Sequence, residues 1–366
     1  MREITGRLPS CSRSPLPGLD LTGSEKNIFG QVDREPNIVE RIRRSEERVH
    51  IAIGAICNNN CVFCMEEDRD GRYVNNSAMT AERVRWVLES HRGAEEVCFT
   101  SGEPTTRDDL PGFIALAREL GYPRISLMTN GRRLGHLPYA AALAKRGLGR
   151  VYISIHGHEQ ALHEGLTRTP QSFEQTVAGL RSVAKLAAFG VELHTSTVVT
   201  KRNLPHLGAI YRFLRGLGVH QVVFNVMQAN GRAHTHFERL FPRYTEIAAE
   251  VARMLATLSE AQPMAFLVDI PLCTTEAVPD RARGYVEKHR HYDLDTGTGP
   301  EERRASGKGR GLALWTRADL DRAQREKRDE CRRCRYDAVC EGVWKNYLAR
   351  YGWDEMEPVP GASAAQ

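Results

Sequence analysis

The segment RVHIAIGAICNNNCVFC, Arg48 to Cys64, decides the fold. Its first half is a short apolar and β-branched run of the kind that forms a buried strand. Its second half sets three thiols, Cys57, Cys61 and Cys64, at C-x3-C-x2-C directly where that strand ends. Thiolates are soft ligands that suit iron-sulfur clusters and zinc, and a short loop at a strand end can turn three of them toward one centre. A structural zinc closes with four protein ligands, so three thiols without a local fourth point to an open coordination position. Buried structural cysteines, or a zinc loop completed by a distant His, are the alternatives at this stage. Asn58, Asn59 and Asn60 suit the turn and can donate hydrogen bonds toward sulfur.

Outward from this segment the same strand signature recurs. EVCFTSG, RISLMTNG, RVYISIHG, VELHTSTVVT and QVVFNVMQ bring the count to six strands, most of them closing on polar residues or Gly. Between them lie amphipathic stretches at 80–91, 108–120, 138–146, 171–189 and 203–217, with Thr80 and Asn203 as expected N-caps and Gly121, Gly147, Gly190 and Gly218 at the exits. Repeated β-then-α order predicts an α/β fold with a parallel sheet and right-handed crossovers, as an open sheet or an incomplete barrel. A further helix is expected around 242–261, and MAFLVDIPLC, 264–273, reads as a strand after the alternation breaks. The charged, Gly-rich stretch near 280–311 reads as a mobile loop. Residues 1–47 form an N-terminal extension expected to be partly disordered, and 357–366 a disordered tail.

Composition narrows the function classes. With 366 residues and 41% hydrophobic content, the chain can fill the core of one large domain and something smaller. The opening MREITGRLPSCSRSPLPG has no continuous apolar stretch, and no run is long enough to span a bilayer, so a cytoplasmic protein without a membrane partner is expected. Fifty-one basic against 46 acidic residues leave a net charge of +5, too small and too interleaved to argue for nucleic acid. Nine cysteines, six of them in two tight groups, favour metal ligation over a disulfide framework.

CNNNCVFC resembles the cysteine motif of the radical S-adenosylmethionine (radical SAM) superfamily, in which the three thiolates hold a 4Fe-4S cluster whose fourth iron is chelated by SAM. The resemblance continues in TSGEPT, Thr100–Thr105, which looks like the GGEP segment that lines the methionyl amino group. Gly102, Glu103 and Pro104 match it directly, whereas Ser101 stands where the pattern has Gly. TNGRRL at 129–134 and ISIHGHEQALHEGLTRTPQSFEQT at 153–176 are also similar to this superfamily, and the likeness runs over about residues 49–228. It implies a partial (β/α)6 TIM-like barrel over 48–262, with its site at the C-terminal strand ends. By resemblance Ser154 and Asn130 face the SAM ribose, and Arg168 pairs with its carboxylate. Thr195, Thr197 and Asn225 also sit on strands leading to that end, as loop or barrel-filling residues. His156, His158 and His163 are expected in a surface or supporting role, and Cys98 in the core.

The second cysteine group, CRRCRYDAVC, sets Cys331, Cys334 and Cys340 at C-x2-C-x5-C. It resembles the C-terminal SPASM or twitch segment of many radical SAM enzymes, which binds an auxiliary 4Fe-4S cluster; the longer pattern carries a further Cys where this chain has Trp344. Residues 263–356 are thus expected to form a small cluster-binding extension. Cys273 is the natural fourth thiol, with His289 and His291 as rivals and zinc as the alternative metal. The resemblance implies reductive cleavage of SAM to a 5'-deoxyadenosyl radical that abstracts a hydrogen atom from substrate. A peptide or natural product is the favoured substrate class and a sugar, nucleoside or alcohol the alternative, with a flavodoxin- or ferredoxin-type electron donor as partner. A non-enzymatic iron-sulfur carrier is the remote alternative, since it needs four protein ligands and no SGEP segment.

Overall fold

Strand β1, Glu47–Ala52, is followed in chain order by β2 Glu96–Thr100, β3 Arg124–Thr129, β4 Arg150–Ser154, β5 Glu192–Val199, β6 Gln221–Val226, β7 Met264–Val268 and β8 Lys288–Asp293. These coordinates come from a computed structural model that describes residues 47–54, 56–65, 80–228, 231–258, 264–283, 288–293 and 324–361. All eight strands join one sheet in the order β7-β6-β5-β4-β3-β2-β1-β8, and every pairing is parallel. The sheet curls but does not close, giving the partial barrel expected. Helices α1 Ala81–Ser90, α2 Leu110–Glu119, α3 Leu137–Arg146, α4 Gln160–Thr167, α5 Ser172–Lys185 and α6 Leu207–Arg215 fill the crossovers. Beyond β6 come the short α7 Gly231–Thr235 and α8 Phe237–Leu240, then α9 Tyr244–Ala256.

Alternation along the strands sorts the residues by face. Val49, Ile51, Val97, Phe99, Leu127, Val151, Ile153 and Leu193 are buried in one core with helix residues such as Ile114, Leu180, Ile210 and Leu214. The opposite face is polar. Arg48, Glu96 and Arg150 are bonded across it, with Glu96 to Arg48 at 3.0 Å and to Arg150 at 2.8 Å, and the Tyr152 hydroxyl accepts from Arg48 at 2.6 Å. Thr195 and Thr197 are fully buried on the helix-covered face, so the β5 residue in register with Ser154 is Ser196.

Several sequence expectations need correction. The sheet does not stop at six strands: β7 extends it past residue 262, and β8 adds a strand on β1 inside the stretch read as a mobile loop. Asn203 is no N-cap. Its carboxamide oxygen instead accepts from the Thr200 amide at 2.7 Å, and its Nδ2 donates to the carbonyls of His156 and Val198, tying the exits of β4 and β5. Part of the supposed tail is also structured, because Val359 accepts from the Arg335 amide at 2.8 Å and Pro360 bridges to Cys334. An extended segment there satisfies backbone groups that the irregular Cys-rich loop cannot pair internally. Residues 1–46 of the N-terminal extension, Cys11 among them, and most of the 280–311 loop lie outside the described residues. The C-terminal part is a two-strand ladder, β9 Arg325–Glu326 with β10 Val343–Trp344, followed by α10 Lys345–Tyr351. Tyr347 of α10 stacks on Tyr244 of α9 at 3.9 Å between ring centroids and seats the extension on the barrel.

Candidate functional site

The three-Cys loop is a stretch with almost no secondary structure of its own, so its shape comes from partners elsewhere. The Asn60 amide donates to the Thr167 carbonyl at 3.0 Å and to Thr169 Oγ1 at 3.2 Å, and the Val62 amide to Leu166 at 2.9 Å, which docks the loop on the end of α4. Two arginines that the sequence reading passed over grip it as well. Arg132 donates from Nη1 to the Asn58 carbonyl and to Asn59 Oδ1, and from Nε to Gln175 at 2.7 Å. Arg232 donates its amide to the Cys64 carbonyl at 3.0 Å and its guanidinium to Asn60 Oδ1 and the Cys61 carbonyl. The approach of α7 is so close that a Cβ on Gly231, whose φ is +54°, would lie 2.0 Å from the Met65 carbonyl oxygen. Arg132 stands in the quoted TNGRRL, but nothing in the spacing says that it turns back to β1.

Cys57, Cys61 and Cys64 are all partly exposed, and the Asn59 amide donates to Cys57 Sγ at 3.4 Å. Burial, and then repulsion from the neighbouring Cys57 and Cys64, push the Cys61 thiol far up, while Arg232 pulls it down. A positively charged centre favours the thiolate form of a buried thiol such as Cys61, and amide donation to sulfur suits an iron-sulfur cluster. The residues fit the group. Among the described residues, no three His, Cys, Asp or Glu side chains close on a single-ion site.

The next loop, after β2, leans on the first. Glu103 donates its amide to the Ile56 carbonyl at 2.7 Å, just ahead of Cys57. Ser101 and Gly102 are both left-handed, with φ of +74° and +54°, which explains why glycine suits both positions and makes Ser101 the strained one. The Glu103 carboxylate, 1% exposed, is enclosed. It accepts from the Thr105 amide at 3.0 Å, Thr105 Oγ1 at 2.5 Å, Thr129 Oγ1 at 2.6 Å and the Asn130 amide at 2.7 Å. These bonds are all made within the protein, and the partly exposed residues of the segment are Thr100, Ser101 and Gly102, with Pro104 buried behind.

Asn130 is likewise a bracket, donating from Nδ2 to Asn58 Oδ1 at 2.5 Å and accepting from the Arg132 amide at 3.1 Å. Ser154 is partly exposed at the end of β4, and Asn225 at the end of β6. Arg168 is exposed in a left-handed cap on α4, φ +50°, between the two threonines that hold Asn60. His156 and His163 are buried beneath the cysteine loop. Phe63 packs edge-on to His156 at 4.7 Å, and His156 stacks on His163 at 5.7 Å. His163 Nδ1 accepts from the His156 amide at 3.2 Å, so that nitrogen carries no proton, and burial lowers the His163 pKa to about 4. His158 is half-buried beside His206, and Cys98 lies in the sheet as expected.

The second cysteine group forms a different kind of site. Cys273, Cys331, Cys334 and Cys340 line one pocket, together with residues that include Pro271, Lys327, Trp353 and Met356. Cys273 rides a 3₁₀ turn, Leu272–Thr274, just after β7, and the Leu272 and Gly342 amides both donate to Cys340 Sγ, the latter at 3.4 Å. Burial and the charges of Cys340, Cys334 and Cys331 push the Cys273 thiol up to about 12. This donor set also fits an iron-sulfur cluster. The strand carrying His289 and His291 pairs with β1, at the opposite edge of the sheet from β7. Trp344 is 3% exposed beneath Arg325, whose guanidinium lies 4.1 Å from the ring centroid and pairs with Asp269 and Glu341.

Residues 51–214 match the family model described as the Radical SAM superfamily. A "Probable GTP 3',8-cyclase" of Saccharolobus islandicus is 29% identical over 187 residues, covering 50% of this chain and 58% of that protein. A protein of the same name from Sulfurisphaera tokodaii is 28% identical over 203 residues, covering 55% and 62%. The chain thus spans less than two thirds of the length of these curated relatives. Streptococcus suis SuiB, solved with bound S-adenosylmethionine, superposes with a TM-score of 0.59 at 14% identity, over 87% of this chain and 77% of that one. At that identity it speaks to the fold. Among the described residues, no helix is long and apolar enough to cross a membrane.

Proposed function

We propose that this chain, which carries a radical SAM domain at residues 51–214, uses it to abstract a hydrogen atom from its substrate, in the maturation of a peptide or natural product. The observation that carries this reading is the three-thiol loop tied to the SGEP segment at a neighbouring strand end, through the bond of the Glu103 amide to the Ile56 carbonyl just ahead of Cys57. Bound there, a 4Fe-4S cluster and SAM supply a one-electron cleavage to methionine and a 5'-deoxyadenosyl radical. Cys57, Cys61 and Cys64 would hold the cluster. Arg132, Arg232 and Asn130 fix their loop, and Glu103 keeps the Ser101–Gly102 turn facing the methionyl group. Ser154 and Arg168 are the groups for the ribose and carboxylate, and the curled sheet excludes water from the reacting atoms.

Cys273, Cys331, Cys334 and Cys340 would hold an auxiliary 4Fe-4S cluster. Four thiolates leave no iron open, which suits acceptance of an electron from the substrate radical better than direct ligation of substrate. The product would then be oxidised by two electrons overall. Electrons enter from a flavodoxin- or ferredoxin-type donor in the cytosol. A nucleotide substrate is the second reading, favoured by the curated relatives named GTP 3',8-cyclase.

Anaerobically reconstituted protein given dithionite and SAM should form 5'-deoxyadenosine, and Cys61→Ala should form none. Protein that binds no SAM, with a reduced spectrum that SAM leaves unchanged, would remove the reading. Incubation with GTP and, separately, with peptides encoded beside the gene then divides the two substrate classes by which one changes mass.

A further inference from the structure

We propose that a knot of Tyr336, Glu276, Arg283 and Arg335 seats Cys273 as the fourth ligand of the auxiliary site, an inference that rests on reading that pocket as a cluster site. The four thiols come from two segments far apart in sequence. One is the turn after β7, and the other the 331–340 loop. Each carries a short 3₁₀ turn, Leu272–Thr274 and Asp329–Arg333, and among the described residues no strand ladder joins the two, so side-chain contacts must hold them in register. Glu276, three residues beyond Cys273, reaches across. It accepts from the Tyr336 hydroxyl, from Arg283 Nη1 at 2.8 Å, and from Arg335 Nη2 at 2.9 Å on its second oxygen. Arg283 Nη1 also donates to the Tyr336 hydroxyl at 2.8 Å. The two guanidiniums lie 5.6 and 4.7 Å from the centroid of the Tyr336 ring.

The knot is tied to the thiols on both sides. Tyr336 is 1% exposed against Leu272, the residue before Cys273, in a small apolar cluster that Cys334 and Cys340 also join. Its carbonyl accepts from the Cys340 amide at 2.7 Å, so one residue sets the path of the loop bearing Cys340 as well. On the other side the turn is stiff. Thr274 and Thr275 donate amides and hydroxyls to Pro271 and Leu272, so fixing Glu276 fixes Cys273. Arg283 is 5% exposed, and charge-assisted bonds of this kind are among the stronger ones available.

The test uses the full chain with Cys57, Cys61 and Cys64 replaced by Ala, so that iron and electron paramagnetic resonance report the auxiliary site alone. Tyr336→Phe keeps the ring and deletes the hydroxyl. It should release iron to a chelator about tenfold faster than the parent, the effect of one lost charge-assisted bond. Its reduced spectrum should change on adding imidazole, as that of Cys273→Ala should and the parent's should not. Arg335→Gln, at the exposed rim, should shift both readouts the same way by about threefold and guards against a Tyr336 variant that fails to fold. A merely structural role would lower the melting temperature and leave the imidazole response absent; that result, or iron release unchanged in both variants while Cys273→Ala is altered, overturns the proposal. A parent protein that holds zinc or no metal overturns the underlying reading instead, and is seen before any knot variant is made.

Discussion

The two cysteine sites of this chain are built in opposite ways. The first gathers three thiols within eight residues, and its loop is held from outside by Arg132, Asn130, Arg232 and the end of α4. The second gathers four thiols from two distant segments, which the bond from Tyr336 to Glu276 joins beside the pocket. One is a compact motif with a borrowed scaffold, the other a scattered motif with a local scaffold. A loop whose support comes from several strand ends senses what binds above those ends, whereas a self-supported pocket is insulated from it. Under the proposed function, that difference suits a first site that takes SAM and a second that takes electrons.

The sharpest way to break this comparison is to remove one thiol from each site. Cys61→Ala should abolish 5'-deoxyadenosine formation, while Cys273→Ala should leave it within about twofold and lose the modified product. Equal loss in both variants would mean that the sites are not functionally separable. Next in size is the borrowed scaffold. Gly231→Ala forces a Cβ onto the Met65 carbonyl, and overpacking against backbone typically costs about 1–3 kcal/mol. Retention of iron at the first site should fall in Gly231→Ala and in Arg232→Ala, with iron at the second site unchanged, as iron counting on the separate cysteine backgrounds would show.

Glu103→Gln sharpens the point further. The substitution removes a charge that accepts four hydrogen bonds and places an NH2 group among donors, a loss of about 2–3 kcal/mol by denaturant titration. SAM affinity should drop with it, because the Ser101–Gly102 turn loosens, and an unchanged affinity would separate this carboxylate from the SAM site. Acid should also affect the first site more. His163 has its pKa lowered from 6.5 to about 4, so the stability it contributes is full above 6.5 and is lost as pH falls from there toward 4. Between those values Tm should decline, and His163→Gln should flatten the decline. The smallest effect belongs to Ser101→Gly, where relief of the left-handed strain outweighs the entropy of glycine by about 0.5 kcal/mol and raises Tm slightly.

Sequence periodicity alone recovered the alternating strands and helices, because each strand is a short run buried on at least one face and each helix has one apolar side. It placed β7 outside the barrel because the resemblance implies six β/α units ending at 262, although the helix expected at 242–261 is the crossover that leads into it. It missed β8 because KHRHYD has no apolar run, and hydrogen bonding along the β1 edge is what makes it a strand. The candidate site was legible where chemistry is contiguous: Cys57, Cys61, Cys64, the SGEP segment and the C-x2-C-x5-C spacing. Roles depending on where a side chain turns were not. The bonds from Asn130 to Asn58 and from Thr105 and Thr129 to Glu103, for example, join residues from different strand ends.

What the sequence determined by itself was the inventory: an α/β chain with two sets of soft ligands, the first directly after a strand. Ligand type and short spacing are local properties, and local properties survive in one dimension. Only the tertiary structure decided that Cys273 lines the same cavity as Cys331, Cys334 and Cys340, that Arg232 reaches Asn60 from the far side of the barrel, and that Glu276 meets Tyr336. Each of these joins residues separated by more than fifty positions, and the cost of closing such loops is repaid only by sheet pairing and core burial elsewhere in the chain.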